Sequence, residues 1–338
     1  MKIAFTICSN NYLAQAKVLI DSINRFSKNC KLYIGLCDEK SEMIDYSQYN
    51  CEIIEIKNIG INDFDLLWQK YNIIEMNTCV KASMFKYLIK KNPNAEFIYY
   101  FDPDICTFSD ISVLDKEFEN TFDILLTPHI ISPIPMDEKR PNENIFLNYG
   151  LYNLGFLGLR ASSDTSAQLL NWWEERTLKI GYNQVEKGMF VDQLWINFVP
   201  IYFKDKVKIL YKMGYNAAPW NLHERIGISE KKNDQYVMPD GTELIFYHFS
   251  NYKYSKADTL TTFYDRFSLE DDLILERLYK NYLQNVLDNN IEVLSKIECV
   301  YIIKRQKYLN SIYKPKLPFA KKFLKKIFKR LYTFIQKM

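Results

Sequence analysis

Glu96-Phe97-Ile98-Tyr99-Tyr100-Phe101-Asp102-Pro103-Asp104 is an apolar run, rich in aromatic residues, that stops at two carboxylates one residue apart. Such a run reads as a buried strand. Open α/β sheets bind ligands outside the carboxyl ends of their strands, so the two carboxylates stand where a ligand would. Two hard oxygen donors at that edge suit Mn²⁺ or Mg²⁺ carrying a substrate phosphate. A polar turn also explains an isolated Asp-Pro-Asp, because both residues are common in turns. The flanking sequence has to choose between the two.

Strand and helix periodicities alternate on both sides of this segment. Lys2–Cys8, Lys31–Cys37 and Cys51–Ile56 read as strands, and Leu13–Phe26 as a helix. Thr78–Lys91 reads as a second helix closed by Asn92-Pro93, and Phe122–Thr127 as a strand after the carboxylates. This alternation predicts an α/β fold with a mainly parallel, Rossmann-like sheet flanked by helices. A Pro-rich loop (Pro133, Pro135, Pro141) then interrupts the pattern, and helices are expected over Thr165–Lys179 and Phe190–Phe203.

Composition narrows the function. The 338 residues are 48% hydrophobic and 15% aromatic, enough for a large core. Neither a P-loop nor a G-x-G-x-x-G turn occurs, and only ten glycines are present. A phosphate ligand would therefore need a metal rather than a glycine cradle. Seven cysteines without C-x-x-C spacing predict reduced thiols and a cytoplasmic location. The opening Ile3–Cys8 reads as a strand rather than a secretory signal. Of three histidines, His248 ends the strand-like run Leu244–Phe249, where it can meet Asp102 and Asp104. A structural, hydrogen-bonded histidine is the plainer account of that position.

Five short motifs carry a family resemblance: Asn11-Tyr12, Phe101-Asp102-Pro103-Asp104, Tyr152-Asn153-Leu154-Gly155-Phe156, Val191-Asp192-Gln193 and Tyr247-His248-Phe249-Ser250. They lie in order across positions 11–250, most of the chain. The chain resembles bacterial GT-A glycosyltransferases with the motif order of family 8, which contains glycogenin and lipooligosaccharide galactosyltransferases. The resemblance implies a GT-A domain over 1–260, with a nucleotide-sugar half to about 127 and an acceptor half beyond it. It also implies Asp102, Asp104 and His248 as ligands to Mn²⁺ (or Mg²⁺), and Tyr12 stacked on uracil beside Cys8, Asn10 and Asn11. Asn153 and Asp192 match contacts to the donor sugar, and Gln193 matches the residue beneath the anomeric carbon. Lys86 matches a family arginine, with Lys81 competing for the donor contact. Ser9-Asn10 replace the acidic residue usual before Asn-Tyr, and Lys253 or Lys256 substitutes for a displaced diphosphate-binding lysine.

Glycosyl transfer passes through an oxocarbenium-like transition state. A nucleoside diphosphate leaving group gains negative charge that a divalent ion stabilises. The resemblance implies a UDP-sugar donor, a saccharide or lipid-linked acceptor in surface polysaccharide assembly (O-antigen, lipooligosaccharide or capsule), and retention. Inversion with Asp192 as base, a metal-dependent nucleotidyltransferase or sugar-nucleotide hydrolase, and an inactive glycan- or nucleotide-binding module stay open.

The charge is unevenly placed. Lys314–Met338 hold nine Lys or Arg and no acid, leaving 35 basic against 41 acidic residues, a net of −6, in the preceding 313. In the tail, Phe319, Phe323, Leu324, Ile327, Phe328, Leu331 and Ile335 recur at helical spacing, with lysines between them. This predicts, after a helical extension over 261–313, a basic amphipathic helix at 314–338 lying on an anionic membrane surface. Packing on the body is the alternative for that helix. Nothing in the acidic body suggests a nucleic-acid partner. The expected location is the inner face of the cell membrane.

Overall fold

The computed structural model describes residues 1–231 and 235–312; the basic tail lies outside the described residues. Nine strands build the frame: β1 (Lys2–Cys8), β2 (Cys30–Leu36), β3 (Glu52–Glu55), β4 (Phe97–Phe101), β5 (Ile105–Thr107), β6 (Ile124–Pro128), β7 (Tyr152–Arg160), β8 (Val207–Ile209) and β9 (Phe246–His248). Six helices matter for the site: α1 (Leu13–Phe26), α2 (Ile73–Cys79), α3 (Lys81–Lys91), α4 (Asp164–Ile180), α5 (Leu273–Asp288) and α6 (Val300–Ile312).

Seven strands form one sheet in the order β8-β6-β7-β4-β1-β2-β3. The mainly parallel α/β architecture expected from the alternation is present. Only β7 runs against its neighbours, pairing antiparallel with both β4 and β6. After β3 the chain crosses to the far side of β1 to form β4, so β1 and β4 flank the switch point where such sheets open a ligand crevice. The reversal of β7 matters here: its first residues, not its last, reach the edge where β1 and β4 end.

The central strands are largely apolar, β4 wholly so, because both sheet faces are covered. Along β4, Phe97, Tyr99 and Phe101 enter one core with α1 and α5, while Ile98 and Tyr100 enter the other with α3 and α4. Side chains alternate across a strand, so Tyr100 faces α3 and Phe101 faces α1.

Three boundaries differ from the periodicity reading. Thr78–Lys91 is two helices, because Asn72 and Glu75 form a capping box that starts α2 earlier and α3 begins afresh at Lys81. Phe190–Phe203 is not one helix. Val191 takes a left-handed φ of 41°, after which Leu194–Phe198 is a 3-10 turn and Val199–Phe203 a short α-helix with Pro200 in its first turn. The Pro-rich loop leads into a helix at Glu143–Tyr149 that apolar periodicity over so few residues does not reveal. No helix among the described residues is long and apolar enough to cross a membrane.

The segment 261–312 packs back on the sheet. Its α5 lies against α1, and α6 is anchored by Asp38, just past β2. The fully buried Asp38 carboxylate accepts from Val300 N (2.9 Å), Glu39 N (2.9 Å) and Asn10 Nδ2 (3.0 Å). Asp38→Ala leaves these donors without their acceptor. It is expected to cost about 2–4 kcal/mol of stability and to release α6 first, read as a lower urea midpoint and faster proteolysis after residue 288.

Candidate metal centre and active site

Asp102-Pro103-Asp104 is a tight turn at the end of β4. Ile105 N bonds back to Asp102 O (3.1 Å), and Pro103 presets the turn backbone. The chain then enters β5, which pairs antiparallel with β9 so that His248 lies opposite Ile105. Phe249 N donates to Asp104 O (2.9 Å), locking the register. This ribbon brings a residue far away in sequence beside the carboxylates. His248 Nε2 lies 3.0 Å from Asp104 Oδ1 and 3.8 Å from Asp102 Oδ2.

One ligand atom from each of Asp102, Asp104 and His248 lies within 4.8 Å of the others. Two carboxylates and an imidazole form a donor set that fits Mn²⁺ or Mg²⁺ with positions left for phosphate oxygens. Burial alone would raise the Asp104 pKa and lower that of His248. Their mutual attraction outweighs burial, so Asp104 is held below its ordinary value and His248 above it.

Lys81, the first residue of α3, is the hub behind the metal ligands. Its buried ammonium lies 2.9 Å from Asp192 Oδ2 and 3.4 Å from Asp102 Oδ1, donates to Leu154 O (3.0 Å) and sits 4.3 Å from the Tyr100 ring centroid. Burial opposes its charge, but Asp102 and Asp192 more than offset that and raise its pKa. Tyr100 donates its hydroxyl to Asp102 Oδ1 (2.5 Å). Lys81 and Tyr100 thus take one oxygen of Asp102 and leave Oδ2 towards His248.

The sugar-side candidates form an amide network under this edge. Gln193 Oε1 accepts from Leu154 N (2.9 Å) and its Nε2 donates to Tyr149 O (2.9 Å). Asn153 Oδ1 accepts from Gly155 N and Asn216 Nδ2, both 3.0 Å, while Nδ2 lies 3.2 Å from His129 Nε2. Trp173 Nε1 holds the Asp192 carbonyl at 2.9 Å. The strained φ of Val191 sits in this frame, just before Asp192. Gly155 is the close-approach point: a Cβ there would fall 2.5 Å from His248 Cε1 and 2.7 Å from Asn153 Oδ1.

The remaining expected residues divide. Asn11, Tyr12 and Lys253 line one cavity together with Asp104. Cys8 is a buried core thiol whose pKa burial pushes up. Asn10 is spent on Asp38, the Glu39 carbonyl and Tyr46. Lys86 projects to α4 and pairs with Glu174 at 2.5 Å, while its competitor Lys81, at the start of α3, faces the carboxylates. The sequence reading assigned no role to Asp38, His129 or Asn216. Asp38 was findable, since it follows β2 as Asp102 follows β4. His129 and Asn216 carry no local signal, because they matter only through contacts with Asn153.

Comparison with known proteins adds three findings. No family model matches the chain. "Uncharacterized protein YfnF" of Bacillus subtilis (strain 168) is 26% identical over 289 residues, covering 84% of this chain and 92% of that protein. Among solved structures, the galactosyltransferase LgtC in complex with donor and acceptor sugar analogues aligns with a TM-score of 0.47 at 15% identity, over 85% of this chain and 96% of that one. Mouse xyloside xylosyltransferase 1, in its apo form, aligns with a TM-score of 0.43 at 14% identity, over 74% and 98% respectively.

Two outcomes test the site's construction. Gly155→Ala is expected to displace the His248 ring and weaken Mn²⁺ binding by about 10- to 100-fold, read by calorimetric titration. His129 is buried with its pKa pushed down to about 3, chiefly by burial. The unfolded chain therefore binds this proton first, and stability is lost as pH falls from about 6.5 towards 3. His129→Gln should flatten the stability–pH profile in that window by up to about 1.4 kcal/mol per pH unit, read by urea unfolding.

Proposed function

We propose that the protein is a metal-dependent glycosyltransferase that moves a sugar from a nucleotide sugar, a UDP-sugar, to a saccharide or lipid-linked acceptor. The observation that carries this reading is the convergence of Asp102, Asp104 and His248 at the switch-point edge of the sheet. A divalent ion held by these three would supply Lewis-acid stabilisation of the departing diphosphate. Attraction to Asp104 and Asp102 raises the His248 pKa, and a metal-ligating imidazole has to be deprotonated, so metal affinity should fall as pH drops.

The chain's own residues do the rest. Lys253 is exposed at the cavity that Asp104 also lines, and offers a cation to the diphosphate. Asn153 and Gln193 sit behind the carboxylates, held from several sides, and position the donor sugar. Retention is the outcome this arrangement supports. Asp192, the carboxylate an inverting reaction would use as base, is buried and paired with Lys81. The amide of Gln193 is a weak nucleophile and is tied to the backbone at both ends.

The basic, aromatic-rich sequence of 314–338 supports attachment to an anionic membrane face. Work on a lipid-linked glycan in surface polysaccharide assembly fits that location. The test is a panel of UDP-, GDP- and CMP-sugars with Mn²⁺, scored for sugar release and transfer, beside Asp104→Asn. Turnover of a UDP-sugar that needs Mn²⁺ and falls at least about 100-fold in Asp104→Asn is expected. Absence of metal-dependent nucleotide binding across the panel would remove the reading, and pyrophosphate formation would redirect it to nucleotidyl transfer.

A further inference from the structure

A cavity of about 380 Å³ opens between the second half of α1, β5 and the outer face of α5. Its α5 wall is made of Asn281, Gln284, Asn285 and, just past the helix, Asn289. None of Asp102, Asp104 and His248 lines it, and it shares no lining residue with the cavity beside Asp104. The two nevertheless lie on one seam. Gln15 of α1 lines the cavity beside Asp104 and Ser22 of α1 lines this one, a separation of about 10 Å along the helix.

The amide wall is unusual for a helix. Asn281, Gln284 and Asn285 recur at the spacing of one helix face and are all exposed. A face that met only water would be better served by pairs such as Glu276 and Lys280 of the same helix, because asparagine competes with the backbone for hydrogen bonds and weakens a helix. Gln284 Nε2 donates to Asp288 Oδ1 (2.7 Å) and Asn289 Nδ2 to Asn285 O (2.9 Å), while the side-chain amides of Asn281 and Asn285 have no partner among the described residues. Each amide offers both a donor and an acceptor. The charged residues of the lining, Asp21 and Arg25, are of opposite sign, and Asp21 pairs with Lys17 (2.6 Å), so neither sign prevails. Half-buried Phe26 and Phe108 add apolar surface. The volume lies in the range of pockets that hold small ligands. An uncharged molecule with many hydroxyls and an apolar face matches this wall, and a sugar ring is such a molecule.

We infer that the cavity between α1 and α5 is a second, non-catalytic binding site for a neutral saccharide, held through the amides of Asn281 and Asn285. The inference goes beyond the transferase reading, since this site binds a glycan and does no chemistry on it. It gives the segment 261–312 a role in retaining a glycan chain on the protein while another part of that chain is near the carboxylates. Two linked contacts of this kind raise the effective concentration of the chain at each of them.

The test places the full chain on an array of neutral and acidic oligosaccharides, without metal or nucleotide, and titrates the best-bound glycan calorimetrically. The titration compares wild type, the double variant Asn281→Ala/Asn285→Ala, the cavity-filling Asn285→Trp, and Asp104→Asn. Wild type should retain neutral oligosaccharides in preference to acidic ones. Both cavity variants should lose about tenfold or more in affinity, and Asp104→Asn should bind as wild type does. The altered positions are exposed, so both cavity variants should melt and bind Mn²⁺ as wild type does. Retention of no neutral glycan, a preference for acidic ones, unchanged affinity in both cavity variants, or an equal loss in Asp104→Asn would overturn the inference. Metal-dependent turnover of a UDP-sugar is measured separately, so its absence would remove the transferase reading without deciding this one.

Discussion

The buried ammonium of Lys81 is the charge on which the site depends. Asp102 and Asp192 approach the same low-dielectric edge, where unscreened like charges repel strongly. A single cation between them, 3.4 Å from Asp102 Oδ1 and 2.9 Å from Asp192 Oδ2 and with a carbonyl as third partner, offsets that repulsion, although burial still raises the Asp192 pKa. It also joins four pieces of chain: the start of α3, the end of β4, the start of β7 and the strained turn at 191–193. Removing one partner from such a set leaves an uncompensated charge, which costs far more than the net worth of the pair.

The reversal of β7 is the geometric counterpart. Were β7 parallel to β4, Asn153 would emerge at the opposite edge of the sheet. Running antiparallel, it sets Asn153 and Gly155 beneath His248, and the missing side chain of Gly155 lets the imidazole come down against the strand. The amides of Asn153, Gln193 and Asn216 then hold one another and the backbone. Val191, at a positive φ next to Asp192, closes the frame around them, while Asn216 Oδ1 is buried without a partner among the described residues.

The carboxylate and imidazole ligands come from two unlike devices. Asp102 and Asp104 are local, placed by a strand ending in a proline turn. His248 is non-local, placed by a short ribbon whose register depends on Phe246, Tyr247 and the bond from Phe249 N to the Asp104 carbonyl. A similar division runs through the cavity beside Asp104. Asn11 and Gln15 follow β1 directly, whereas Tyr282 arrives from a helix near the other end of the described chain.

The amino-acid sequence by itself determined the alternation of strands and helices, the apolar character of β4, and the placing of Asp102 and Asp104 at a strand end. These follow from side-chain period, turn chemistry and capping, which act over a few residues. It also singled out His248, because a histidine closing an apolar strand is rare in a chain with three. It left Lys81 and Lys86 as competing candidates, since both sit on one helix and only the crossing of α3 over the sheet decides which faces the carboxylates. It read Phe190–Phe203 as one helix, because periodicity does not register a backbone held at positive φ by surrounding contacts. Asp38, His129 and Asn216 acquired their places only in the tertiary structure. Each acts through partners distant in sequence, and burial beside those partners is a property of packing that no local pattern encodes.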